Sequence, residues 1–434
     1  MDEYLKLLLE QIRCTKARPY IKQELQDHME DQIAENMKAG MDHEQAEKEA
    51  VRDMGDPVET GISLDSIHRP QAAWKLLGII IFISIAGVLI HAGISGKASE
   101  NAVAGSDRYV FHVMIGLAVM MILYLLDYTV LAKFSKIIAA VLLSACLLVI
   151  LEGGQVNGAR IFISLPGGRR GMDVQKLMLF YVPIYGAILW LIAPVILVYS
   201  LPALRTACVM LVTMLTMLTI AIKKDWFTVR KKRTICGIWA VFLTAPIAAF
   251  LGMYLRNRLA EYQIARIQAM FSSGSETDYL TKMLHSLWRQ NKLIGKSKSD
   301  VTGILPAFNA DYILTYLSSV YGIIAAILLC CVLAVLIFAV FNTALRQKNQ
   351  LGMMMGCGCG IVFLISFLIN VLENLGVFPQ SITFLPFFSA GGSCIIISYG
   401  LMGIVLSTYR YKNIYPRHPE AGFMSINSKV KKVS

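Results

Sequence analysis

Asp311 opens a long apolar run, in Leu305-Pro306-Ala307-Phe308-Asn309-Ala310-Asp311-Tyr312. Only thirteen acids fall after residue 70, so each one there carries information. At a membrane boundary, partial burial would suit the Asp311 carboxylate to taking a proton from a substrate hydroxyl. The same residue also fits as the cap or first-turn acid of a helix.

A second stretch offers the opposite charge. It reads Asn157-Gly158-Ala159-Arg160, continues through Gly167-Gly168-Arg169-Arg170-Gly171, and ends at Asp173-Val174-Gln175-Lys176. Its glycines allow a close backbone approach. Arg160, Arg169, Arg170 and Lys176 could hold a phosphate. An ordinary basic loop would have the same spacing. A third stretch, Phe384-Leu385-Pro386-Phe387-Phe388-Ser389-Ala390-Gly391-Gly392-Ser393, breaks the start of the last apolar run. Irregular backbone at membrane depth is tolerated only where protein buries it or a cavity wets it. Small residues at a close helix contact are the plainer reading.

Other candidates carry less. Cys357-Gly358-Cys359 is not a zinc spacing and lies in an apolar segment. The seven histidines show no paired ligand spacing. The glycines 352, 356 and 360 are four apart and predict a close helix contact.

The elements that must position these residues are membrane helices. Of the 434 residues, 56% are apolar and 16% are charged, and the mean hydropathy is +0.57. A soluble enzyme, a disordered chain and a fibrous one are excluded. Nine cysteines are too few for a disulfide scaffold. Spans are expected at 74–94, 109–131, 136–151, 202–222, 234–254, 313–341, 351–372 and 385–408. Basic clusters at Lys223–Arg233, Arg346–Lys348 and Arg410–Arg417 mark the cytoplasmic side. That leaves 152–174, 255–312 and 373–384 outside. The apolar segment 176–200 must then cross twice or not at all, and two short helices are expected. The fold class is all-α: a polytopic bundle of about ten membrane helices with a small soluble helical domain before it.

Residues 1–70 carry 16 acids and 9 bases, whereas the rest of the chain carries 13 and 32. The chain therefore divides into an acidic cytoplasmic head at 1–70, a membrane domain at 71–412 and a basic cytoplasmic tail at 413–434. The basic body belongs beside anionic lipid, so no nucleic acid is expected as a partner. The head is too polar and acidic for a signal peptide. Its capping patterns at Asp42 with Gln45 and at Asp56-Pro57, with stops at Gly40 and Gly55, predict short helices. Ala17-Arg18-Pro19, Glu24-Leu25-Gln26-Asp27-His28 and Met54-Gly55-Asp56-Pro57-Val58 resemble the permease prefix (HAAS-type) domain. That resemblance implies a regulatory or interaction module without catalysis.

Five motifs in register resemble the SEDS family of bacterial cell-wall polymerases, of the FtsW, RodA and SpoVE type. Asn157-Gly158-Ala159-Arg160 with Asp173 and Lys176 is similar to its NGARRWI and PSE loop. Tyr262-Gln263 with Arg266-Ile267, and Leu293-Ile294-Gly295-Lys296, resemble the start of its large outer loop and its GLFGKG element. Leu305-Pro306 with Ala310-Asp311-Tyr312-Ile313 resembles LP and TDFIF. Asn370, Gly376 to Pro379 and Leu385 to Ser393 resemble its closing LPFISYGGSS region. Several family charges differ here. The PSE glutamate is Asp173, the second arginine of NGARRWI is Ile161, and the paired glutamates after TDFIF are Ser319 and Val320. The acid of the QPDLGTA motif is absent from Leu201–Ala207, and Ala390 replaces the tyrosine of SYGG.

The resemblance implies a peptidoglycan glycosyltransferase that consumes lipid II on the outer face of the bacterial cell membrane and releases undecaprenyl pyrophosphate. Asp311 takes the catalytic aspartate position, as a base or as a ligand for a divalent cation such as Mg or Mn. Arg160, Lys176 and Lys296 would lie near phosphates, with Asn157 and Asp173 beside them. Ser389, Gly391, Gly392 and Ser393 would shape the cavity wall. The implied partner is a transpeptidase of the class B penicillin-binding type. The missing charges also fit a catalytically silent scaffold of cell-wall synthesis. A lipid transporter is a third reading, without the inverted repeat it would need.

Overall fold

The computed structural model describes residues 1–95, 100–152, 154–156, 159–162, 174–180, 204–224, 229–255, 276–297, 301–305, 308–377 and 384–415. They are helical almost throughout. The head holds α1 (Asp2–Glu10), α2 (Arg18–Lys38), α3 (His43–Asp53) and α4 (Pro57–His68). Then come α5 (Trp74–Ser95), α6 (Glu100–Leu125), α7 (Tyr128–Lys133) and α8 (Ser135–Glu152). A short antiparallel hairpin follows, β1 (Gly154–Val156) with β2 (Ala159–Phe162). The rest are α9 (Val174–Leu177), α10 (Leu204–Lys223), α11 (Lys231–Leu255), α12 (Glu276–Gln290), α13 (Val301–Ile304), α14 (Ile313–Val320), α15 (Ile323–Leu345), α16 (Gln350–Asn374) and α17 (Gly392–Arg410).

The chain divides into two compact units. The first contains Met1–Ala73, Arg346–Met353 and the chain from Leu406. In the head, Gly40 and Gly55 take positive φ and end α2 and α3, as their spacing predicts. Asp56 caps α4 by accepting from Glu59 N at 2.8 Å. Asp42 precedes α3 but makes no capping bond, so the expected capping box is not formed. Leu5, Leu8, Ile12, Ile21, Met29 and Ala46 form the core. A Cβ at Gly61 would fall 2.7 Å from Leu8 O, so α1 and α4 touch backbone to backbone. Asp65 is buried and accepts from Arg13 N at 2.8 Å. Within the same unit, Gln71 N donates to Arg410 O at 3.0 Å, and Asn413 Nδ2 donates to Ile67 O at 3.1 Å.

The second unit contains Trp74–Leu345 and Met354–Val405. Among the described residues, five helices are long and apolar enough to cross a membrane: α5, the Asp107–Leu125 part of α6, α15, α16 and α17. Ser135–Val149 and Val209–Lys223 are shorter apolar helices. Three expected spans have different limits. The run at 109–131 ends at Leu125, because Asp127 turns the chain by accepting from Thr129 N and Oγ1, both at 3.0 Å. The run at 313–341 breaks at Gly322, which has φ +106. The run at 385–408 becomes helical only at Gly392. Most of 176–200 lies outside the described residues.

Glycines let the helices meet. A Cβ at Gly403 would fall 2.8 Å from Met120 O, and one at Gly116 would fall 2.5 Å from Tyr399 Cδ2. α6 and α17 therefore pack at backbone distance, as small residues permit in a bilayer. The glycine series on α16 places Gly360 against Val340 and Phe341 of α15. Gly403→Leu is expected to force α6 from α17 at a cost of about 1–3 kcal/mol. Thermal unfolding of the detergent-solubilised protein should show the loss, and Phe82→Leu, at an exposed site, should not.

Candidate functional site

Asp311 lies half-buried in the turn that feeds α14. Its backbone is held from two directions. From α16, Asn370 Nδ2 and Asn374 Nδ2 both donate to Asp311 O, at 3.1 and 3.0 Å. These asparagines are one turn apart and share a helix face. Asn374 Oδ1 accepts from Thr315 N at 3.0 Å and from Thr315 Oγ1 at 2.9 Å. One buried amide thus joins the carbonyl before α14 to an amide in its first turn, where a helix leaves N–H groups unpaired. On the other side, Ser389 Oγ donates to Ala310 O at 2.8 Å, and Ala390 N donates to Asn309 O at 3.1 Å.

The Leu385–Ser389 turn is itself fixed. Leu385 N donates to Ser389 Oγ at 2.7 Å. Phe387 takes φ +68, the left-handed region that side chains other than glycine's rarely adopt. Its N–H reaches Ser398 Oγ at 3.2 Å, and its carbonyl accepts from Tyr109 OH at 2.9 Å. Its ring packs between Phe363 and Tyr399, with centroids at 5.6 and 5.1 Å. His91 Nε2 bonds Phe388 O at 2.8 Å, and its ring stacks on Tyr109 at 3.8 Å. Tyr399 OH meets Ser84 Oγ at 2.6 Å. Helices α5, α6 and α17 together hold this strained turn against the Asp311 loop.

Behind Asp311, the amphipathic α12 buries Leu280, Leu284 and Leu287 with Val301, Leu305 and Tyr312. Trp288 Nε1 donates to Asn374 O at 2.7 Å. Tyr316 is buried near Phe308. Burial pushes its hydroxyl up to about 12, so it stays protonated at neutral pH. It is therefore unsuited to act as a base.

The sequence candidates are distributed as follows. Gly391, Gly392 and Ser393 are half-exposed where the Leu385–Ser389 turn meets α17. A Cβ at Gly392 would fall 2.6 Å from His112 Nε2. Lys176 is brought to the same place, its Nζ 3.2 Å from Cys394 Sγ. Ser389 is buried and spends its hydroxyl on backbone groups, so it supports the wall from behind. Arg160 lies on β2, and its side chain is outside the described residues, as are Asn157 and Asp173. Lys296 is exposed, and the backbone around it pairs with Ser319 and Tyr321 at the end of α14 away from Asp311. Sequence reasoning overlooked Asn374, Thr315, His91 and Tyr109. Polar residues one turn apart in an apolar helix were the available signal for Asn370 and Asn374.

Asn374→Leu should leave Asp311 O with one partner and Thr315 N with none from this side chain. The expected cost is about 1–3 kcal/mol for each buried group left unpaired. Thermal unfolding in detergent, with Thr315→Ser as the mild comparison, would measure it.

The family model for FtsW, RodA and SpoVE, described as "Cell cycle protein", matches residues 70–414. A relative from Enterococcus hirae, "Probable peptidoglycan glycosyltransferase FtsW", is 25% identical over 366 residues, 77% of this chain and 91% of its own length. One of the same name from Trichlorobacter lovleyi is 22% identical over 76% of this chain and 91% of its own. Among solved structures, a chain from "Structural coordination of polymerization and crosslinking by a peptidoglycan synthase complex" aligns with TM-score 0.63 and 18% identity, covering 78% of this chain and 98% of that one. The rod shape determining protein RodA of Thermus thermophilus aligns with TM-score 0.54 and 16% identity, over 79% and 97%. The two structural likenesses match the fold described above, and the match at 70–414 covers most of the chain. This multi-pass membrane protein belongs to the FtsW/RodA/SpoVE family.

Proposed function

We propose that this chain is a peptidoglycan glycosyltransferase that polymerises lipid II and releases undecaprenyl pyrophosphate. The observation that carries the reading is the immobilised Asp311 turn, tied to Asn370 and Asn374 on one side and to Ser389 and Ala390 on the other. A half-buried carboxylate on a rigid backbone is the group that general base catalysis requires. The names of the relatives, matched over nearly their whole length, support the same reading.

In this reaction a C–O bond forms between an acceptor sugar hydroxyl and the donor's anomeric carbon. The bond from that carbon to the pyrophosphate oxygen breaks, and the pyrophosphate leaves with the electron pair. Asp311 takes the hydroxyl proton as the new bond forms. The Lys176 ammonium offsets the charge that grows on the leaving group, with Arg160 from the hairpin assisting. Gly391 and Gly392 have no Cβ, which lets Cys394 and His112 close against the backbone and complete the wall of the site. A Mg or Mn ion could share the charge. Among the described residues, no group of three or more His, Cys, Asp or Glu is placed to hold one.

In this proposal the site faces outward, and both termini are cytoplasmic. The head at 1–70 acts as a regulatory module. A class B penicillin-binding transpeptidase is the partner, a choice supported by the printed title of the aligned synthase complex.

Asp311→Asn should lower glycan polymerisation by about 10²–10⁴-fold while the protein remains folded. Lipid II with purified protein, alone and with a transpeptidase, would be assayed by gel separation of the chains. Wild-type polymer from the variant would remove Asp311 from the mechanism. No polymer from a well-folded wild type would favour a silent scaffold.

A further inference from the structure

The segment 292–296 has a composition and a position that the proposed chemistry does not use. It crosses the break at Gly322 as an irregular segment that bends at Leu293–Gly295, with Gly295 at φ +92. Lys292 O accepts from Ile323 N at 3.0 Å, and Leu293 O accepts from Ile324 N at 3.2 Å. Gly295 N donates to Tyr321 O at 3.0 Å, and Ser297 N donates to Ser319 O at 2.7 Å. A Cβ at Gly322 would fall 2.5 Å from Leu293 O, so only glycine lets the segment lie this close. The segment is therefore fixed to the first residues of α15, the most apolar of the five candidate spans, with hydropathy 3.4.

Two large aliphatic side chains project from this fixed segment. Leu293 is 68% exposed and Ile294 is 74% exposed. Tyr321 and Ile324 beside them are also exposed. Lys292 and Lys296 flank the pair and are exposed as well. Four adjoining apolar side chains in water would be an unusual surface for a loop. At the start of a membrane span they match the bilayer boundary. Aliphatic groups face hydrocarbon there, tyrosine sits at headgroup level, and lysines extend their stems to reach phosphates.

We propose that Lys292–Lys296 is a lipid-binding wedge. Leu293 and Ile294 enter the acyl boundary of the leaflet where α15 begins, and Lys292 and Lys296 engage the phosphates of anionic lipids. The occupant is bulk lipid. Two observations favour it: the segment is hydrogen-bonded to the end of a span, and its lysines match anionic headgroups in charge. The wedge gives Lys296 a lipid phosphate as its partner in place of the substrate's. It also holds the far end of α14 at the membrane surface while Asp311 occupies the near end. The inference is independent of the glycosyltransferase reading, because its test uses no substrate.

The test is photocrosslinking in vesicles. The full chain with Ile294→p-benzoylphenylalanine would be reconstituted and irradiated, and adducts would be identified by mass spectrometry. Phe338, 74% exposed within α15, provides the control position. Phospholipid adducts at 294 within about twofold of those at 338 are expected, since both side chains would contact lipid. Adducts at 338 without adducts at 294 would overturn the wedge, as would adducts at 294 to another protein chain only. The yield at 294 should also be higher in phosphatidylglycerol vesicles than in phosphatidylcholine vesicles. The double variant Lys292→Gln, Lys296→Gln should remove that preference. Equal yields in the two lipids with the lysines intact would overturn their assigned role.

Discussion

Backbone that leaves the helix inside or beside a bilayer must find hydrogen bonds within the protein, because hydrocarbon supplies none. This constraint governs the site. Two irregular segments, 308–312 and 384–391, meet between helices, and their polar groups are satisfied by side chains fixed on α5, α6, α16 and α17. Asn370, Asn374 and Ser389 serve the Asp311 turn. His91, Tyr109 and Ser398 serve the strained turn at Phe387. Removing one of them would take a hydrogen bond from these turns, although Asp311 O keeps a second asparagine donor when either asparagine is lost. The asparagines and histidine are thus as much part of the site as the acid they surround.

Much of this arrangement was legible in the sequence. Acids are so rare after residue 70 that Asp311 stood out before any geometry was known. The proline and paired glycines from Pro386 to Gly392 announced irregular backbone, and the structure forms a turn there. Helix ends in the head followed from Gly40, Gly55 and Asp56, because caps depend on local chemistry. The limits of the spans were harder to read. Hydropathy runs smoothly through Tyr321-Gly322-Ile323, and the positive φ at Gly322, where the segment 292–295 lies against the backbone, divides the run. The supporting role of Asn374 was hidden for the same reason, since its partners are 59 and 63 residues away.

The charges that differ from the family pattern have a partial physical account. Ser319 stands where an acid of the family motif would lie, and its hydroxyl donates to Asn291 Oδ1 at 2.9 Å. Asn291 Nδ2 donates in turn to Ser318 Oγ at 2.8 Å. Among the described residues, a neutral hydrogen-bonded set fills this corner, so these three side chains place no charge there to be desolvated. The same corner holds the segment at 291–297 in place. Ala390 has no hydroxyl to offer, and its backbone N–H donates to Asn309 O. That main-chain contact would be lost with proline, which has no N–H.

The break at Gly322 also bears on how the chain is made. An unbroken helix from Ile313 to Leu345 would be roughly 50 Å long, whereas the hydrocarbon core is about 30 Å thick. During biogenesis the insertion machinery meets a single apolar stretch with too much length to thread. The segment at 292–297 is synthesised before that stretch. By pairing across Gly322 it would divide the stretch as it emerges, committing α15 to the bilayer and withholding α14. The order of synthesis thus favours the arrangement in which α14, the helix just after the acid, is never threaded at all.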